Sequence, residues 1–222
     1  MQQLTHIQKT TLEKIPSFQN LLLNMKPANL LLIYSDIDTV EQSVSENRLT
    51  IEDLDIIYKS QAKNPGFEYI EIWLSDFETI SNIKNPLQDK RTVALFIYKE
   101  ARKFYFSDMK VIFESLMRGE YGPFYGSVDA TRIYSAFTHY RQTRIFEIEK
   151  LTQAKKKDLN ADIERVQKEA HSYVHKVLRE KYGEAYKEKF SVEILFRKYE
   201  YERDKRVTEI KKEYAEKFGV AL

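Results

Sequence analysis

The chain has 222 residues, 42% of them hydrophobic and 32% charged, with 36 Lys/Arg against 34 Asp/Glu. That length supports one sizeable core, or one domain and an appendage, and the composition is that of a soluble, helix-rich protein. The absence of cysteine excludes a disulfide framework and thiolate chemistry. The longest apolar run, within NLLLIY at 29–34, is too short to span a bilayer. The polar, mixed-charge start MQQLTHIQKTTLEK lacks a secretory pattern, so a cytoplasmic protein that does not enter a membrane is expected.

Breakers and charge divide the chain. All five prolines (16, 27, 65, 86 and 123) precede residue 124, and residues 150–222 contain no proline and only Gly183 and Gly219. Residues 150–222 hold 19 Lys/Arg and 14 Asp/Glu, whereas residues 1–149 hold 17 and 20. This shift predicts an all-α protein in two parts. A compact multi-helix domain occupies 1–149, and a long antiparallel helical hairpin of coiled-coil type occupies 150–222, turning near Gly183.

In chain order, seven acids between 36 and 56 (Asp36, Asp38, Glu41, Glu46, Glu52, Asp53 and Asp55) accompany one base, Arg48, and read as a solvated acidic face. Thr50 with Asp53 forms a capping box that opens IEDLDIIYKS, with Ile51, Leu54, Ile57 and Tyr58 on one face. The NPG at 64–66 is expected to end that helix. FEYIEIWLSDFETI alternates at first like a strand, but Ile70, Trp73, Leu74 and Phe77 follow helical spacing, so a helix is predicted. Pro86 is expected to open a segment whose apolar stripe is Val93, Phe96, Ile97 and Ala101. Ser107 or Asp108 then caps MKVIFESLMR, with Val111, Ile112, Ser115 and Leu116 inward.

The stretch RGEYGPFYGSVDATRIYSAFTHYRQTR, 118–144, holds three of the six glycines. Gly119 sits where a left-handed helix terminator belongs, Gly122 with Pro123 makes the turn, and Gly126 lets the backbone reach the next start. Asp129, or Ser127, caps the following helix. From there Ile133, Phe137, Tyr140, Arg144, Ile148 and Leu151 continue without a breaker to Gly183. A second helix is predicted over roughly 184–217. Its seam of Tyr186, Phe190, Ile194, Phe196, Val207, Ile210 and Tyr214 is expected to meet Val166, Ala170, Tyr173, Val177 and Leu178.

Standard chemistry finds little support. GEYGPFYG lacks the Gly-Lys-Ser/Thr ending of a phosphate loop and places a proline where an amide is needed. His171 and His175 share a helical face, but HSYVH lacks the glutamate of a zincin helix, so no metal and no cofactor are expected. Asp53 and Asp55 point apart on a helix, and no nucleophile elbow is present. A non-enzymatic protein is predicted. The remaining candidates are nucleic-acid contacts: Arg118, Arg132, Arg141 and Arg144 among Tyr121, Tyr125 and Tyr140, followed by Lys155, Lys156 and Lys157. Arginine beside exposed rings suits phosphate contacts and base stacking. The same residues also suit packing of the corner and pairing with Glu120, Asp129 or Glu147.

The run FYFSDMKVIFESLMRGEYGPFYGSVDATRIYSAFTHYRQTR resembles an uncharacterised family of small helical proteins from phages and conjugative elements. The shared pattern is filled here by Gly119, Tyr121, Gly122, Tyr125, Asp129, Ile133, Tyr140 and Arg144, over roughly 85–150. In size and helical class the chain is similar to phage replication accessory proteins that deliver a replicative helicase. Two functions follow as expectations. One is a helicase-loader-like accessory of a mobile element, binding a protein partner, with DNA as an optional second ligand. The other is a helical scaffold or inhibitor acting only through protein contacts, with a homodimer through the C-terminal hairpin also allowed.

Overall fold

A computed structural model describes residues 4–45, 48–124 and 129–218. Among them the secondary structure is α-helical with no β-strand, and Thr50 and Tyr105 form an isolated bridge. The chain divides into two compact units, Met1–Glu149 and Lys150–Leu222, with the boundary inside one long helix.

The first unit is built from α1 (His6–Lys14), α2 (Phe18–Asn24), α3 (Pro27–Ile33), α4 (Val40–Val44), α5 (Ile51–Ile57), α6 (Pro65–Ile80), α7 (Lys90–Ala101), α8 (Phe106–Met117) and the start of α9 (Ala130–Tyr182). Capping boxes fix several of the starts. Thr5 with Gln8, Thr39 with Gln42 and Thr50 with Asp53 each exchange side-chain and backbone hydrogen bonds across the first turn, which satisfies amides the helix itself leaves open.

FEYIEIWLSDFETI is helical, as its spacing requires, and forms the centre of the unit. α6 packs against α2, α3, α5 and α7. The Trp73 ring stacks on Phe77 at 5.8 Å and meets Phe113 and Phe137 edge-on at 6.3 and 5.5 Å. Such stacked and T-shaped pairs add to the burial of the rings themselves. α9 contributes Ile133, Ala136, Phe137 and Tyr140 to this core, all buried and spaced to lie on one helical face.

Four local expectations are corrected. α5 ends at Ile57, and Asn64-Pro65-Gly66 opens α6 instead of closing α5, with Pro65 in the first turn, where a missing amide costs nothing. α7 starts not at Pro86 but at Lys90, where the Asp89 carboxylate accepts from the Thr92 amide. Its buried face is Ala94, Ile97 and Ala101, and Phe96 is turned outward. α8 begins at Phe106, one turn earlier than a cap at Asp108 allows; Asp108 sits in its first turn and accepts from the Tyr105 amide at 2.7 Å. The acids of 36–56 are also more engaged than a solvated face implies. Asp53 accepts from Gln8, Asp55 from Gly66 and Tyr98, and Glu52 pairs with Arg102 and Lys103.

The second unit comprises the rest of α9, α10 (Tyr186–Lys189) and α11 (Val192–Phe218). Gly183 has φ +74°, the left-handed conformation that ends a helix without steric penalty. The helix predicted over 184–217 is interrupted: Phe190 is extended, and Ser191 starts α11 by accepting from the Leu195 amide through its carbonyl. The packed residues are Val174, Leu178 and Tyr186, with Tyr182, Phe190, Leu195 and Tyr199 around them. Leu178, Tyr186 and Phe190 of the expected seam are thus packed, whereas its Tyr173, Val177, Ile194 and Phe196 are exposed. Arg206 lies 3.8 Å from Glu169 and 5.6 Å over the Tyr173 ring. The side chains of Val166, Ala170 and His171 lie outside the described set.

Candidate functional site

The corner between α8 and α9 assembles itself from backbone chemistry. The Glu120 amide donates to the Ser115 carbonyl and the Gly119 amide to that of Leu116, the paired bonds of a helix-ending glycine motif. Gly119 and Gly122 have φ +74° and +93°. Arg132 then reaches back, donating to the Pro123 carbonyl while lying 3.7 Å from Asp129. The Asp129 carboxylate accepts from the Thr131 amide at 2.8 Å, which caps α9. The predicted turn residues Gly119, Gly122 and Asp129 thus join two helices; Gly126 lies outside the described residues.

Most of the expected nucleic-acid residues are occupied within the first unit. Arg118 pairs with Glu120 at 2.7 Å, and Arg141 with Glu100 at 2.7 Å. Tyr121 is half-buried, with its hydroxyl 3.1 Å from His139 Nδ1; burial, and then the Glu120 charge, raise its pKa. Tyr140 and Arg144 are not on the surface. The Tyr140 hydroxyl donates to Asp108 Oδ1 at 2.7 Å, and Arg144 Nε donates to Asp108 Oδ2 at 2.8 Å. Burial followed by the Asp108 charge pushes the Tyr140 pKa far above its ordinary value. Arg144 also lies over the rings of Tyr105 and Phe104, at 4.8 and 5.6 Å. These two residues read as surface contacts in sequence because Tyr140 and Arg144 sit beside the exposed Arg141; in space they hold α9 to α8. Tyr125 lies outside the described residues. In the second unit Lys156 and Lys157 are exposed and Lys155 is half-buried.

Two of the surfaces that carry exposed apolar side chains are also hollowed. On α7, Leu95 and Phe96 point outward, and Phe96 meets Tyr134 of α9 edge-on at 6.2 Å. A depression of about 380 Å³ runs between them and Thr92, and one of about 400 Å³ lies beside Leu95, Phe67 and Tyr98. Helical spacing with Val93 and Ile97 predicts Phe96 in the core, whereas it is 50% exposed. Ile97 and Ala101 of the expected stripe are buried, and the signal missed is the small Ala94 on the same side. In the second unit, a groove of about 500 Å³ runs between α9 and α11, lined by Tyr173, Val177, Ile194 and Tyr201 with Arg197 and Lys198.

Among the described residues no group of three or more His, Asp or Glu is placed to hold a metal ion, and no helix is long and apolar enough to cross a membrane. No curated protein and no solved structure matches the chain. Residues 84–192 match the model of a family of unknown function, DUF6633; this fits the expectation of an uncharacterised family, and the match extends beyond 150 through α9 and α10.

Proposed function

We propose that this chain is a non-enzymatic accessory protein of a phage or mobile element, serving DNA replication by gripping a protein partner as a helicase loader does. The observation that supports this reading is the groove between α9 and α11. Two helices cannot cover each other completely, and Tyr173, Val177, Ile194 and Tyr201 remain in solvent there. An incoming helix with an apolar stripe would bury them, the usual mode of helix-in-groove recognition. A second copy of the chain would cover the same residues if the C-terminal unit is an antiparallel hairpin that pairs with itself.

The engaged arginines favour a narrower second reading, a helical scaffold or inhibitor without nucleic acid. Arg118, Arg132 and Arg141 already have carboxylate partners and Arg144 is buried, so the DNA arm falls on the exposed Lys156 and Lys157. Titrating the full chain with a labelled bacterial replicative helicase tests the first reading. Saturable binding, weakened about tenfold or more by Val177→Asp with Ile194→Asp, is expected; no binding, or binding indifferent to the double variant, removes it. A salt titration with labelled single-stranded and duplex DNA separates the two readings, because phosphate contacts weaken steeply with salt.

A further inference from the structure

α7 carries a second candidate surface, independent of the groove in the C-terminal unit. Its inner residues Ala94, Ile97 and Ala101 are fully buried, while Leu95 is 44% and Phe96 50% exposed. Large apolar side chains standing in adjacent outward positions, with a tyrosine from α9 beside them, form a contiguous patch and not isolated exposed residues. The two depressions share Thr92 and flank α7 on either side. Each has a volume at the small end of the range for binding pockets, enough for one anchoring side chain apiece.

The charges around this patch have an unequal fate. Lys90 is drawn to Glu78 at 2.6 Å, and Arg102 and Lys103 to Glu52 at 2.9 and 3.0 Å. The acids at the border are engaged too: Glu100 accepts from Arg141 and from the Tyr134 hydroxyl, and Asp89 caps α7. Arg91 and Lys99 are the cations that border the apolar strip. Arg91 is largely exposed, 3.9 Å from Glu71 and 5.3 Å over the Phe67 ring. Lys99 Nζ sits 5.6 Å from the Phe96 ring. A basic ligand would be repelled by these two cations, and an acidic one would pair with both.

We propose that the outer face of α7 is a docking site for an acidic amphipathic segment of a partner protein. Two apolar anchors of that segment seat in the depressions beside Phe96 and Leu95, and its flanking carboxylates pair with Arg91 and Lys99. Residues three or four apart on one helical face supply such anchors.

Selecting binders to the full chain from a random-peptide display library, then measuring the enriched peptide by fluorescence anisotropy, tests this. The expected peptide carries two large apolar residues with flanking Asp or Glu and binds more weakly as salt rises. Phe96→Asp should reduce its affinity about tenfold or more, and Lys99→Glu should weaken it while admitting the Lys-substituted peptide. Both positions are exposed, and circular dichroism checks that helicity is kept. Val177→Asp with Ile194→Asp should leave this binding unchanged, so it stands or falls apart from the groove of the C-terminal unit. Enrichment of basic peptides, binding insensitive to Phe96→Asp, failure to enrich any peptide, or displacement of the peptide by an oligo-dT single strand would each overturn the proposal.

Discussion

Arg144 Nε meets Asp108 Oδ2 at 2.8 Å, with 9% and 0% of the two side chains exposed. Asp108 also accepts from the Ser43 hydroxyl, the Tyr105 amide and the Tyr140 hydroxyl, so one carboxylate links α4, α8 and α9. A buried pair of this kind destabilises the fold when one partner is removed, by about 3–5 kcal/mol, because the other charge is left uncompensated. Arg144→Met should therefore lower the unfolding free energy by that order in denaturant titration. Asp108→Ala should cost more, since it strands donors from α4, α9 and the N-cap of α8. The double variant Asp108→Ala with Arg144→Met should lose less than the sum of the two single losses, and full additivity would contradict this coupling.

Two glycines should respond differently to alanine. At Gly119, with φ +74° and open space where a Cβ would stand, Ala meets only the cost of the left-handed backbone, roughly 1–2 kcal/mol. At Gly66, inside α6, propensity favours Ala by up to about 1 kcal/mol. A Cβ there would lie 2.7 Å from the Ile51 carbonyl oxygen and 2.9 Å from Tyr98, and a backbone atom cannot swing aside. Gly66→Ala is expected to be net destabilising by about 1–3 kcal/mol; a rise in Tm would refute the close approach of α5 and α6.

Alkali should unfold the protein earlier than surface chemistry would suggest. Tyr98 is raised from 10.0 by burial and then by its hydrogen bond to Asp55, and Tyr140 is raised from 10.0 by burial and then the Asp108 charge. For Lys110, burial works against the charge, but hydrogen bonds to Asp38 and Glu114 prevail and raise its pKa above 10.5. In each case the unfolded chain releases its proton first, so the stabilisation is full below about pH 10 and declines as pH rises toward the folded-state values. Unfolding free energy measured between about pH 9 and 11 should fall, and Tyr98→Phe with Tyr140→Phe should flatten that slope.

The two units should also differ in how they come apart. The core of the first contains many fully buried aromatic and aliphatic residues, whereas the described core of the second is Val174, Leu178 and Tyr186, with His175 Nδ1 hydrogen-bonded to the Tyr186 hydroxyl at 2.6 Å. Small cores open at lower free energy. Amides of α11 are expected to exchange with solvent faster than those of α6 and α8. Leu178→Ala should accelerate exchange in α10 and α11, by the roughly 2–5 kcal/mol of a core truncation at most, and leave α6 protection unchanged.

What could be read in advance was what short-range chemistry decides. The capping box at Thr50 and Asp53, the left-handed Gly119 and the helix through Trp73 all depend on residues within a turn or two of each other. Asp108 shows where such reading stops. As an acid near the start of a helix it resembles a cap, and its Ser43 and Arg144 partners lie 65 and 36 residues away, so nothing adjacent announces the buried role. Phe96 misleads for the opposite reason: Val93, Phe96, Ile97 and Ala101 make a plausible stripe, and the close approach of α6 seats the small Ala94, not Phe96, beside Ile97 and Ala101. In the second unit the spacing finds Leu178, Tyr186 and Phe190 but misses Val174, one position from Tyr173, and the break at Phe190 and Ser191, which the uninterrupted charge pattern conceals.

The linkage through Asp108 bears on inheritance. Because Ser43, Tyr140 and Arg144 all converge on the same two oxygens, replacing any one of them alone takes a donor away from a charge buried out of water. Relatives of this chain should therefore keep the quartet intact or exchange it together for an apolar set, and intermediates with a single replacement should be rare among them.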